Sequence, residues 1–140
     1  MTKKDFFENN IIKELSFLIE HEHINTAFLL MALSIEYLGA IIDDKPLKAK
    51  IQSQKRFNKA INRLFPDGYK FINQNGLLYD KFRNHMIHTF TAGDCFILTN
   101  LKNAEGCKHL FTQNNKTVLI AEIMFEDILN AYKKLSNQLV

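Results

Sequence analysis

The chain has no tryptophan, two prolines, two cysteines and five glycines in its 140 residues. So few prolines and glycines exclude a loop-rich, collagen-like or low-complexity chain, and no internal repeat occurs. Two cysteines, Cys95 and Cys107, are too few to frame a disulfide-stapled secreted domain. They read as reduced thiols of a cytoplasmic protein. Charge of one sign is also scarce: 18 Lys and Arg stand against 15 Asp and Glu, a net charge of +3. That mildly basic balance is compatible with nucleic acid without demonstrating it. There is no glycine-rich phosphate loop, nucleophile elbow or zinc-protease motif, so those enzyme classes lose their usual signature. The segment Met1-Thr2-Lys3-Lys4-Asp5-Phe6-Phe7-Glu8 carries acids where a signal peptide would be apolar, so no targeting segment is read there.

What the chain does have is apolar mass. Hydrophobic residues make up 46% and include 12 Phe, enough for one substantial core and one domain, residues 1–140. Between Ile24 and Ile42 the only formal charge is Glu36. That stretch is nearly long enough to cross a bilayer. A charge inside it is costly in lipid, and Asn25 and Ser34 add polarity, so it reads as a buried central helix and not a membrane span.

Apolar spacing places helices over residues 5–20, 24–43, 47–65, 77–90 and 121–139. Asp5 and Glu8 suggest a capping box for the first. Pro46 ends the second, and Pro66-Asp67-Gly68 and Asn75-Gly76 are turns. After Gly93 the period changes. Residues 95–99, 109–112 and 117–120 are short and rich in strand formers, separated by Asn and Gly, and predict two or three antiparallel strands. The expected fold is mainly α: a bundle of about five helices with a small antiparallel β insertion before the last helix.

Reactive groups concentrate in one stretch, Leu78-Tyr79-Asp80-Lys81-Phe82-Arg83-Asn84-His85-Met86-Ile87-His88. Arginine offers a permanent cation with a forked donor array suited to phosphate. Imidazole exchanges a proton near neutral pH. At 100° per residue, Asn84 and His88 share a face with His85 nearby, and Asp80 and Lys81 flank that arc. Tyr79, Phe82, Met86, Ile87 and Phe90 form the apolar arc. Arg83 falls at the edge of the buried side, where a charge must be paired, must snorkel, or must face an interface or cleft. One reading is a structural ion pair with an acid such as Glu36, the histidines being ordinary surface residues. The other is a phosphate site.

The pattern Arg83-Asn84-x-x-x-His88 resembles the signature of the HEPN domains, small helical domains of which many are metal-independent RNases of toxin–antitoxin and phage-defence systems. Arg83 matches the family's Arg, Asn84 the polar residue after it, and His88 the His, at the short spacing. Beyond the general helical layout, only these three positions carry the likeness. The resemblance implies a HEPN-like bundle, no cofactor, and cleavage of RNA by its own 2′-hydroxyl. His88 would act as general base or acid, Arg83 would neutralise phosphate charge, and Asn84 would orient His88 or bind phosphate. It also implies a homodimer in which two motifs face one cleft, and it admits an antitoxin protein as partner. A non-catalytic module of the same fold, binding nucleotide, nucleic acid or a partner protein, is the alternative; a helical interaction domain is the third.

His85, Lys81 and Arg56 are the candidate substrate-binding residues. Lys48, Lys50, Lys55 and Lys59 would extend a phosphate-binding surface, although each alone reads as a solvated helix position. His85-x-x-His88, Cys95 and Cys107-x-His109 offer metal-ligand types, but their spacing matches no compact zinc module and no metal is expected.

Overall fold

The computed structural model describes residues 2–138, and side chains as far as Leu135. The fold is mainly helical, with one small three-stranded sheet inserted before the final helix. The chain opens with α1 (Lys3–Phe6), a π-helical turn over Phe7–Ile11, and α2 (Ile12–Glu20). The capping box lies one turn earlier than the sequence suggested: Thr2 accepts from the Asp5 N–H, and the Asp5 carboxylate accepts from the Thr2 N–H.

The apolar stretch forms α3 (Ile24–Ile42) and occupies the centre of the protein. Ala27, Phe28, Met31, Ile35 and Leu38 are all fully buried in the one large core. Half of its apolar window is buried in this way, so a helix long and apolar enough for a membrane is here a packed core helix. Its closest partner is α4 (Ser53–Leu64), which presents Phe57, Ala60, Ile61 and Leu64. Gly39 lets the two helices touch at the backbone, because a methyl group there would overlap the Arg56 carbonyl.

The third helix starts later than its polar N-terminal half suggested. Residues 47–52 are irregular, and Ile51 has φ 59°. Arg56 explains this. Its guanidinium is buried, donating from Nε to Asp43 at 2.6 Å, from Nη1 to the Leu47 carbonyl at 3.1 Å and from Nη2 to the Pro46 carbonyl at 2.9 Å. The Pro46 carbonyl also accepts the Ala49 N–H in a turn, so the arginine holds this stretch as a loop and not as a helix. Arg56, expected to bind substrate, has its donors taken by three protein acceptors that hold it as a clamp on the turn after α3. Burial works against the Asp43 carboxylate, but its bonds to Arg56 and the Lys45 N–H outweigh that and hold it below the usual carboxylate range.

After α5 (Asp67–Ile72) and a 3₁₀ turn, a π-helical turn over Tyr79–Arg83 runs into α6 (Asn84–Thr89). Leu78, Phe82 and Met86 point into the core. Phe90 was expected in that apolar arc. Instead it ends the helix in the left-handed conformation, φ 61°, and is 45% exposed.

The sheet corrects the all-antiparallel expectation. β2 (Thr112–Gln113) and β3 (Lys116–Ile120) form a hairpin through Asn114 and Asn115, both at positive φ as a two-residue hairpin turn requires. β1 (Phe96–Thr99) pairs with β3 in parallel, in the order β1-β3-β2. A crossover through residues 100–111, and not a second hairpin, brings the chain back. Side chains alternate along the sheet: Phe96, Leu98 and Leu119 face the main core, while Ile97, Val118 and Ile120 make a small second one with Ala104. α7 (Ala121–Gln138) then packs Met124, Ile128, Ala131 and Leu135 onto α3. The expected end of this helix at residue 139 lies outside the described residues.

Candidate functional site

Arg83 and Glu36 meet. Glu36 Oε1, on the middle of α3, accepts from Arg83 Nε at 3.0 Å and Nη2 at 2.8 Å. The side chains are 15% and 22% exposed, so the pair sits at the protein's edge and not deep within it. Arg83 Nη1 donates to Asn84 Oδ1 at 2.9 Å, and the guanidinium lies 5.4 Å from the centre of the Tyr79 ring. Ser53 Oγ, at the start of α4, is 2.8 Å from Glu36 Oε1 and 2.8 Å from Tyr79 Oη. A hydroxyl has one proton. Ser53 gives its proton to the carboxylate, so Tyr79 donates to Ser53.

This arrangement leaves Arg83 partly uncommitted. A guanidinium has five N–H donors. Three are used, and one on each terminal nitrogen is left without a hydrogen-bond partner among the described residues. Four elements fix the group: α3 supplies Glu36, α4 supplies Ser53, the π-helical turn supplies Tyr79 and Arg83, and α6 supplies Asn84. A π turn inside a helix is a recurrent feature of functional sites.

The other residues singled out from the sequence are dispersed. His88 is exposed and makes no hydrogen bond or ion pair among the described residues. It lies five positions after Arg83, which turns the two side chains about 140° apart on a regular helix. His85 is half-buried, its ring against the Gly93 backbone. Lys81 is exposed and unpaired among the described residues. The structure thus brings Arg83 and Asn84 together with Glu36, and keeps His88, His85, Lys81 and Arg56 out of that contact.

Sequence reasoning missed a second network. His109 accepts the Ile120 N–H at Nδ1, 2.9 Å. Its proton is therefore on Nε2, which donates to Tyr69 Oη at 2.7 Å, and Tyr69 in turn donates to Asp127 Oδ2 at 2.6 Å. The chain ties the loop before β2 to α5 and α7. The three residues lie far apart in sequence, and none belongs to a recognisable motif. Both His109 nitrogens are occupied, and among the described residues no group of three or more His, Cys, Asp or Glu is placed to hold a metal ion.

Burial sets the titration of this network. It pushes His109 down to about 4. It pushes Tyr69 well up, helped by the Asp127 charge and hydrogen bond. It also raises Asp127, against the opposing effect of the Tyr69 hydrogen bond. An unfolded chain protonates His109 near 6.5, so between about 6.5 and 4 the unfolded state binds more protons. Stability is therefore expected to fall as pH drops through that window, by about 3 kcal/mol at its acid end from His109 alone. Asp127 acts in the opposite sense, because its raised folded value returns stability once it protonates. Urea midpoints from pH 7.5 to 4.5 check this against His109→Gln, which keeps Asp127 and is expected to lose most of the slope. Equal slopes in the two proteins would contradict it.

No family model, no curated protein and no solved structure matches this chain.

Proposed function

We propose that this chain is a metal-independent endoribonuclease of HEPN type that works as a homodimer in the cytoplasm. The observation that carries the reading is Arg83 itself. Its guanidinium is fixed by Glu36 and Asn84 at the protein's edge, with two N–H groups left over for a phosphate. His88 follows on the same short helix, exposed and without a partner among the described residues.

The reaction follows from these groups. The RNA 2′-oxygen bonds to the adjacent phosphorus while the bond from phosphorus to the 5′-oxygen breaks. One proton leaves the 2′-hydroxyl and one joins the departing 5′-oxygen, giving a 2′,3′-cyclic phosphate and a 5′-hydroxyl. His88 handles one of these protons. Arg83 stabilises the charge on the phosphate oxygens. Asn84 accepts from Nη1 of Arg83 and thereby aims the remaining donors. Two copies facing one cleft would bring a second Arg83–His88 pair to the same phosphate, which offsets the angular separation within one chain. An effector of this kind is a toxin or phage-defence protein, and an antitoxin protein is its expected partner.

A second reading has an observation of its own. Glu36 cancels the Arg83 charge, which lessens the pull on a phosphate. That favours a non-catalytic module binding nucleotide, nucleic acid or a protein. Incubating the protein with mixed RNA and a chelator separates the two. Cleavage that persists in chelator and disappears in His88→Ala supports the enzyme; binding without cleavage supports the module.

A further inference from the structure

Away from Arg83, a groove of about 530 Å³ runs along α4. Lys55, Lys59 and Arg63 line it at successive four-residue steps, with Gln52 and Asn62 beside them and Lys45 closing one end. Arg56 and Asp43 also border it, but they neutralise each other. Five cations and one carboxylate give the lining four net positive charges, more than the +3 of the whole chain. The remainder of the protein is thus slightly acidic, and the groove holds all of its positive excess.

Such a row has a cost. Like charges four residues apart on a helix repel, and among the described residues Lys55, Lys59 and Arg63 have neither an ion pair nor a hydrogen bond. Nothing in the fold requires three cations there.

We propose that this groove binds the sugar–phosphate backbone of single-stranded RNA at a site separate from Arg83; the choice of RNA rests on the function proposed above, whereas the anion chemistry does not. Cations four residues apart are spaced about 6 Å along the helix, on the order of one nucleotide step of an extended strand. No apolar or aromatic side chain lines the groove. It therefore offers neither a stacking platform for bases nor the apolar centre of a protein interface. Contacts to phosphate alone make binding insensitive to sequence and sensitive to salt. On α4, Ser53 points to Glu36, and Lys55 and Lys59 lie about 160° and about 120° round the helix from it. The groove is thus a holding site for the strand and takes no part in the chemistry.

Anisotropy of a short labelled 2′-O-methyl RNA, which cannot be cut through its 2′-oxygen, tests this on the full chain. The triple variant Lys55→Gln, Lys59→Gln, Arg63→Gln is expected to bind at least about tenfold more weakly at low salt. The slope of log affinity against log salt should become shallower by about 2. A charge-matched control, Lys13→Gln, Lys102→Gln, Lys108→Gln, should stay within about twofold of the parent. Should the triple variant melt below the parent, Lys59→Gln alone reads the same effect, with a slope change of about 0.7. Equal losses in both triple variants would overturn the proposal, as would no binding by the parent. So would displacement of the RNA by inorganic phosphate or polyglutamate as effective as by unlabelled RNA. A protein that binds through the groove but never cleaves leaves this site standing and sinks only the enzyme.

Discussion

Gly39→Ala is expected to remove a large part of the protein's stability. An alanine methyl at this position would lie 2.6 Å from the Arg56 Cα and would overlap the Arg56 carbonyl. Backbone cannot swing aside as a side-chain end can, so α3 and α4 would have to separate along their whole contact. That contact runs through the main core, where Met31, Ile35, Leu38, Phe57, Ala60 and Ile61 are fully buried, and it anchors the clamp of Arg56 on Asp43. The loss should exceed about 4 kcal/mol, a large part of the stability of an ordinary domain. Gly68→Ala is the control. Its methyl would meet only the Leu110 Cδ1 at 2.9 Å, a movable end, within the helix α5. Alanine also favours helix by about 1 kcal/mol over glycine, so little net change is expected. Urea midpoints by circular dichroism check both. A Gly39→Ala protein within about 1 kcal/mol of the parent would show that the two helices do not rest on each other's backbone.

The second large effect is on activity. His88→Ala should lower RNA cleavage by about 10²-fold or more with little change in melting temperature, because His88 is exposed and unpaired among the described residues. Arg83→Ala should lower it by about as much. It should also cost about 2 kcal/mol of stability, between the values for surface and buried pairs, since Glu36 keeps only the Ser53 hydroxyl. Arg83→Lys separates the two roles. A lysine can keep a charge near Glu36 but cannot give a fork to the carboxylate and Asn84 while offering donors to a phosphate. Its stability should recover more than its cleavage. Cleavage rates and melting curves on the same preparations measure the split. Full activity in Arg83→Lys would mean that the fork has no role.

Local pattern carried the helical part of this fold well. The central helix was legible because a nineteen-residue stretch holds a single charge, Glu36. Helical spacing put Arg83 at the edge of the buried side, where an ion pair with an acid such as Glu36 was one of two readings, and Glu36 receives it. Long-range chemistry was not legible. Arg56 stands in the same polar, basic stretch as Lys48, Lys50 and Lys55, and only the fold of the turn at Asp43–Pro46 makes it a clamp. Strand composition told nothing of the parallel pairing of β1 with β3, which depends on how residues 100–111 cross over. The π turn at Tyr79–Arg83 leaves no mark in apolar spacing, because Leu78, Phe82 and Met86 keep the same four-residue step. Tyr69, His109 and Asp127 are brought together by tertiary packing alone.

Under the proposed function, the groove on α4 would hold the RNA strand through its charge, and Arg83 and His88 of two facing copies would act on a single phosphate. The chemistry proposed for Arg83 and His88 is read directly from the chemical ends of RNA cut in the presence of a chelator. A 2′,3′-cyclic phosphate and a 5′-hydroxyl, both absent with His88→Ala, are the predicted ends. A 5′-phosphate with a 3′-hydroxyl, or cutting that chelator abolishes, would contradict it.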